Sequence, residues 1–222
     1  MTPSSPPQPL ILLGGGGHAL VVAEAAALAG FALAGFLDDN PQGRLDAPCL
    51  GRLEDLAVLR PHLEQGARWI LAVGDLGLRA RLLLGMAHRD RTNAAAATVI
   101  HPSAWVSPSA TIGPGAWIGP RALVHTRATI GPHAIINTGA IVEHDCRIGE
   151  NAHIAPGAIL GGSVTVGAGA LVGLGARVLP NLSVGQGGVV GAGSVVVRSV
   201  SPGSTVVGVP ASPVGGSADS AS

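Results

Sequence analysis

The sequence predicts a small α/β unit followed by a parallel β-solenoid of hexapeptides, and three observations predict it. An aliphatic residue stands at every sixth position from Ile100 to Val196, seventeen times without a gap. The residue two places earlier is almost always small, as at Ala104, Ala110, Ala116, Ala122, Ala128 and Ala134. Ahead of this repeat lie about 90 residues of different character that open on an apolar run, four glycines and an alanine-rich stretch, which suggests two modules. A period of six matches neither the 3.6 of a helix nor the alternation of a sandwich strand. It fits a solenoid in which each hexapeptide forms one side of a coil and stacking buries a continuous interior. The chain is 47% hydrophobic but only 2% aromatic, as suits an interior too narrow for rings.

Residues 1–9 are rich in Pro and Ser and carry no positive charge. The apolar run after them is far shorter than a signal segment or a membrane span, so a disordered tail and a cytoplasmic protein are expected. Residues 10–96 read as a Rossmann-like module. Residues 10–13 form a strand that ends in Gly14-Gly15-Gly16-Gly17-His18, and residues 19–28 are strongly helix-forming. The unpaired N–H groups at such a helix start carry partial positive charge, so a diphosphate can approach where no Cβ stands in the way. A second strand over 31–37 delivers Asp38 and Asp39 about 20 residues beyond the glycines, where an acidic side chain commonly meets a ribose hydroxyl. A third strand over 69–73 leads to a helix with Arg79 and Arg81. A glycine run can be merely a flexible turn, but the acidic pair in register with it favours a nucleotide. One three-stranded half-unit is too small to hold a dinucleotide, so a nucleotide-linked sugar fits better than a nicotinamide cofactor. His18 either contacts that ligand or caps the turn.

Residues 97–211 form the solenoid, and residues 212–222 are expected to be a disordered tail. With three hexapeptides per coil, residues eighteen apart stack, which sorts the outward positions into three columns. Trp105, Leu123, Ile141, Ile159, Arg177 and Val195 make the first; Trp117, Ile135, His153, Leu171 and Val189 the second; Thr111, Thr129, Arg147, Thr165 and Ser183 the third. Two faces are mostly apolar and should meet partners. Unlike faces joined head to tail close into a ring, and a homotrimer is the simplest closure.

The chain has no Lys, which removes a phosphate-loop lysine and any Schiff-base chemistry. Its formal charge is zero, which implies no electrostatic attraction to nucleic acid or to an acidic membrane. Between Ile100 and Ser201 the only acidic residues are Glu143, Asp145 and Glu150, and two of them flank His144. His144 is a candidate general base with Asp145 holding one tautomer; the plain alternative is an exposed turn histidine beside a solvated carboxylate. His153 sits in an apolar column, where packing competes with a ligand role. A head-to-tail trimer could bring His144 of one subunit beside His153 of the next. His101 and His133, next to prolines, are expected in loops, and His125 should pair with Glu143 one coil above. Cys146 falls on a small inward position and is expected to act as a buried hydrophobe. No close pair of histidines has ligand spacing, so no metal is expected.

Gly14-Gly15-Gly16-Gly17-His18, Phe36-Leu37-Asp38-Asp39, His101-Pro102-Ser103-Ala104, Val142-Glu143-His144-Asp145, Val178-Leu179-Pro180-Asn181 and Gly208-Val209-Pro210-Ala211 occur in this order along the hexapeptides. Together they resemble the NeuD/PglD-like sugar O- and N-acetyltransferases. The resemblance implies a left-handed parallel β-helix, a homotrimer with acetyl-CoA between subunits, and a nucleotide-linked aminosugar, of the kind used for bacterial surface glycans, on the N-terminal module. It implies that His144 accepts the proton and Asp145 raises its basicity, and that transfer is direct, without an acyl-enzyme. It places Gly16, Gly17, His18, Asp38, Asp39 and Asn137 at the sugar nucleotide, and His153, Gly162, Gly173 and Leu174 along acetyl-CoA. Two departures are Ala19, where a glycine is frequent, and Ser212-Pro213, where relatives often carry a basic residue. O-acetylation of a free sugar such as a sialic acid, or a non-catalytic binding scaffold, are the other readings of the same fold.

Overall fold

The computed structural model describes residues 6–42, 44–87 and 95–214. Strand β1 (Gln8–Leu13) is followed by helix α1 (Gly17–Leu28), β2 (Phe31–Leu37), β3 (Cys49–Gly51), the short helix α2 (Leu59–Glu64), β4 (Arg68–Leu71) and α3 (Leu76–Ala87). These strands form one sheet in the order β3-β2-β1-β4, and every pair is parallel. The chain builds outward from β1 to one edge and then crosses to the other side of β1 with β4. The C-terminal end of β1 therefore opens on the switch point of the sheet, where ligands of such folds sit. The edge strand β3 was not expected. It is three residues long and has no alternation to betray it; its position is set by pairing Phe36 with Cys49 and Leu37 with Gly51 across a bulge.

Both expected tails need correction at their inner ends. Gln8 and Pro9 already pair with Phe31 and Ala32. Ser212 and Pro213 belong to a closing hairpin in which the strand Ala211–Pro213 runs antiparallel to Thr205–Gly208. Backbone pairing with a neighbouring strand outweighs the turn-forming character of Pro and Ser at these edge positions. Residues 1–5 and 215–222 of those tails lie outside the described residues.

The solenoid follows its eighteen-residue rule up to Val196, and only the last coil is shorter, pairing Val189 with Thr205 and Val184 with Val200. Trp105 pairs with Leu123, Ile135 with His153, and Thr129 with Arg147. The three columns become sheets of six, eight and five strands, the eight-stranded one including the closing hairpin. Inside, Ile118, Val124, Ile136, Val142, Ile154 and Leu160 stack with the corner residues Ala122, Ala134, Ala140 and Ala158 in one buried column. Small residues prevail at these corners, though Val164 and Leu182 stand there in two later coils. From Gly115 to Gly193 each corner holds one residue in the left-handed region; at the corner after the first apolar face these are Arg127, Asp145, Ser163 and Asn181, with φ of 57, 61, 61 and 61°.

The second apolar face does not wait for a partner subunit along its whole length. Trp117 and Ile135 are buried in one core with Leu10, Leu12, Ala19 and Val22, so α1 and the sheet cover them within the same chain. The first face stays open, with Trp105 48% exposed. The two modules are stapled by Arg79, which is 1% exposed. Its guanidinium donates to Asn151 Oδ1 at 2.8 Å, the His133 carbonyl at 2.5 Å, Leu71 O at 3.3 Å and Val73 O at 3.1 Å. Burial lowers its pKa to about 10, and four acceptors offset the cost of desolvating the charge.

His133 lies in a corner turn, as expected, with φ of 55°, but it is buried there: it is 3% exposed and stacks on Trp69 with ring centroids 5.4 Å apart. His125 forms no pair with Glu143; its ring lies against Trp105 at 5.2 Å, where the neighbouring coil offers an aromatic face. Among the described residues, no helix is long and apolar enough to cross a membrane.

Candidate active site

His144 and Asp145 occupy the corner between the first apolar face and the polar face. Asp145 takes the left-handed conformation that the turn requires, and this turns its carboxylate back along the corner. His144 Nδ1 lies 2.8 Å from Asp145 Oδ2. The same carboxylate receives Arg127 from the coil below, Nε to Oδ1 at 2.7 Å and Nη2 to Oδ2 at 2.9 Å. Hydrogen bonds from Arg127 first and His144 second hold the Asp145 carboxyl well below the usual carboxylate range. An anion there accepts from Nδ1–H, so the imidazole keeps its lone pair on Nε2, on the edge of the ring that lies next to Gly162, and the side chain as a whole is 56% exposed.

Gly162, one coil above, is what gives the ring its place. A Cβ at 162 would stand 2.6 Å from both Cε1 and Nε2 of His144. Cys146 is no rival nucleophile: it is buried, its thiol donates to Gly161 O at 3.2 Å, and burial pushes its pKa up to about 11.

A second polar cluster lies on the opposite side of the coil, where the glycine loop meets the second face. Asn137 Oδ1 accepts the Thr138 N–H at 2.8 Å, which orients the amide so that Nδ2 donates to His153 Nε2 at 3.2 Å. His153 is thereby assigned as the Nδ1–H tautomer. Its pKa is lowered to about 4, mainly by burial and further by Arg79 and His18. His18 sits in the same junction, edge-on to Trp117 with centroids 6.1 Å apart, and burial followed by Arg79 lowers it to about 4. It does not cap α1; Gly16 is the N-cap and no side chain bonds there. His18 Nε2 and Trp117 Nε1 are buried without a protein partner.

The four glycines divide into two pairs. A Cβ at Gly14 would stand 2.8 Å from Ala72 O, and one at Gly15 2.7 Å from the Phe36 ring, so the chain's own packing requires both. Gly16 has nothing within 4 Å, and at Gly17 the nearest atom is Arg44 Nη1 at 3.6 Å. These two keep open space at the start of α1. Asp38 shapes that loop, its Oδ2 accepting Gly15 N–H at 2.7 Å and Oδ1 accepting Asn40 N–H at 2.8 Å. Asp39 makes an exposed pair with Arg52 at 3.1 Å.

The residues singled out by sequence thus fall into three groups. His144, Asp145 and Gly162 share one corner. Asn137, His153 and His18 share the junction, with Gly173 and Leu174 on the corner that also holds Asn137; the tight backbone there, 2.7 Å from a Cβ at 173 to Val190 O, accounts for the glycine, and Leu174 is exposed. Gly16, Gly17, Asp38 and Asp39 line the loop. One chain does not bring the first group to the second. Sequence reasoning missed Arg127, although the eighteen-residue rule puts it directly under Asp145. It also missed Arg44, whose place beside Gly17 follows from a loop with no spacing signal. No group of three residues suited to a metal is found among the described residues.

Residues 9–84 match the family model of the PglD N-terminal domain, and residues 94–181 match that of the GMPPB C-terminal domain. Perosamine N-acetyltransferase from Caulobacter crescentus, solved as a histidine-to-asparagine variant in complex with CoA and GDP-perosamine, is 40% identical. The match covers 94% of this chain and 97% of that one, with a TM-score of 0.84. The acetyltransferase domain of PglB from Neisseria gonorrhoeae, in complex with acetyl coenzyme A, is 34% identical over 93% of this chain and 99% of that one, with a TM-score of 0.83. WeeI from Acinetobacter baumannii, 24% identical over 93% of this chain and 99% of that one at a TM-score of 0.77, shares the fold. Among curated proteins, none matches by sequence.

Proposed function

The chain belongs to the NeuD/PglD-like family of sugar acetyltransferases, and on that premise we propose that it transfers the acetyl group of acetyl-CoA to the amine of a nucleotide-linked aminosugar. The observation that carries the chemistry is the His144–Asp145 pair, which leaves the Nε2 lone pair of an exposed ring without a protein partner among the described residues, at a corner of the left-handed helix. The sugar amine attacks the thioester carbonyl while Nε2 takes one of its protons. The tetrahedral intermediate then expels the CoA thiolate as the C–S bond breaks, and the proton on His144 passes to that sulfur. A carboxylate that stays ionised steadies the imidazolium between these steps. Transfer is direct, since the one cysteine near His144 is turned inward with its thiol protonated. A backbone N–H, or the Nδ1–H of a neutral His153, is suited to the oxyanion.

His144 lies at the corner opposite the face that carries His153, so the complete site takes two protomers. The open first face, with Trp105, Leu123, Ile141 and Ile159, suits the contact, and a homotrimer closes it. In this arrangement acetyl-CoA runs between subunits past His153, Gly162, Gly173 and Leu174. The sugar nucleotide sits at the N-terminal module, whose diphosphate cradle is Gly16, Gly17 and the start of α1. Arg44 supplies the cation there that a chain without lysine otherwise lacks. Asp38 holds the loop in shape, Asp39 reaches the nucleotide from its rim, and Asn137 and His18 face the sugar. Residues 10–96, extended to Gln8, are then the sugar-nucleotide module, and residues 97–211, extended to Pro213, the transferase module. The cytoplasm is the place that this reading gives it.

The test is release of free CoA with a panel of UDP-, GDP- and dTDP-linked 4-amino sugars, beside free sugars including sialic acid. Turnover with at least one nucleotide-linked amine and none with free sugars is expected. Turnover with free sugars alone would move the assignment to O-acetylation, and none with any acceptor would leave a binding scaffold. Light scattering on the same sample should give three copies.

A further inference from the structure

We infer that Arg127 is a positioning residue for the acyl transfer, acting on His144 through Asp145; the inference rests on the proposed role of His144. Three features of the corner carry it. First, Arg127 and Asp145 are separated by one full coil and share the left-handed conformation, with φ of 57 and 61°, so their side chains leave the corner in parallel from adjacent rungs. Both backbones are fixed, Arg127 N–H by Ser109 Oγ at 3.2 Å and Asp145 N–H by Thr126 O at 3.0 Å. Second, the contact is the two-pronged fork that defines both the plane and the position of a carboxylate, at 2.7 and 2.9 Å. Third, Oδ2 is shared: it receives Arg127 Nη2 and His144 Nδ1 together. An aspartate with two free side-chain torsions on an exposed corner would otherwise sample several rotamers, most of them unable to reach Nδ1. The fork selects the one that can.

The consequence is a tautomer. With Asp145 held in place, Nδ1 carries the hydrogen and Nε2 the lone pair that takes the amine proton. Once the carboxylate is free to turn into solvent, His144 reverts toward the Nε2–H form that histidine side chains otherwise favour in water, and a ring in that form cannot accept a proton at Nε2. Arg127 touches no reacting atom and sets the state of the group that does. A lysine at 127 retains the charge but not the fork, so it should restore only part of the effect.

The experiment is ¹⁵N NMR of the imidazole of His144 in the unliganded full chain, for the wild type, Arg127→Met and Arg127→Lys, with steady-state kinetics on the same samples. The expected result is a dominant Nδ1–H form in the wild type that is lost in Arg127→Met and partly recovered in Arg127→Lys. In parallel, kcat in Arg127→Met should fall about tenfold with KM for acetyl-CoA little changed, the scale of an exposed but bidentate charge pair. An unchanged tautomer in Arg127→Met overturns the inference, whether its kcat is normal or its loss comes with a lowered melting temperature. The spectra need no substrate, so failure to find an acceptor sugar and failure of this relay are separate outcomes.

Discussion

The corner that holds His144 and the junction that holds His18, His133 and His153 use the same side chain in opposite ways. At the corner the imidazole is exposed and bonded to a carboxylate that is itself clamped by an arginine. At the junction all three rings are buried against Arg79, without an acidic partner, and burial followed by that arginine lowers each to about 4. The first setting suits the base that we propose His144 to be; the second keeps rings neutral through the whole working range. A histidine's environment, and not its presence in the sequence, separates base from scaffold.

The sharpest way to break this contrast is to remove the exposed ring. His144→Ala should lower kcat by about 10²–10⁴ while the melting temperature and the oligomer stay as they are. Asp145→Ala should cost less, because the ring remains; an equal or greater loss would mean that the carboxylate takes the proton. Gly162→Ala tests the corner's geometry without touching its chemistry. Its Cβ would displace the His144 ring, so a drop of about 10- to 100-fold in kcat is expected, with KM for acetyl-CoA nearly constant. A proportional rise in KM instead would assign Gly162 to the coenzyme alone.

The junction should answer to pH in stability where the corner answers in rate. His133 has its ordinary value of 6.5 when unfolded and about 4 when folded. Between those values the unfolded chain binds more protons, so stability is full above about pH 6.5 and falls as the pH drops toward 4. At 1.36 kcal/mol per unit, His133 alone accounts for roughly 3 kcal/mol. Melting curves from pH 7.5 to 4.5 should show the fall, and His133→Gln should flatten it; parallel curves for the two proteins would refute the assignment. The smallest effect is expected at the glycine loop. Gly16→Ala and Arg44→Ala should each raise KM for the sugar nucleotide about tenfold and leave the fold and KM for acetyl-CoA unchanged. Gly15→Ala, by contrast, should lower the melting temperature, because its Cβ would meet the Phe36 ring.

Much of the molecule was legible beforehand because its repeat is strict. Rungs eighteen residues apart follow from three six-residue sides, so the sheet neighbours of Ile135, Thr129 and Trp105 could be written down without coordinates. The same arithmetic holds Arg127 under Asp145, although the rule names which residues stack and not which side chains meet: His125, stacked under Glu143, turns to Trp105 instead. The glycine loop was legible in kind but not in detail. Four consecutive glycines look alike until packing shows that Gly14 and Gly15 serve the fold while Gly16 and Gly17 leave space.

The burial of Trp117 and Ile135 was of another sort. An apolar column on a solenoid announces that something will cover it, and the signal is the same whether the cover is another subunit or the chain's own helix. The order and spacing of residues determined the coil, its three faces and the turn that carries His144, since each depends on contacts at a fixed separation. Tertiary structure alone decided which face α1 would bury, that Arg79 would be sealed between the modules, and that His133 would stack on Trp69. Those contacts join segments with no common period, and only the shape and desolvation of the surfaces as they close selects among them.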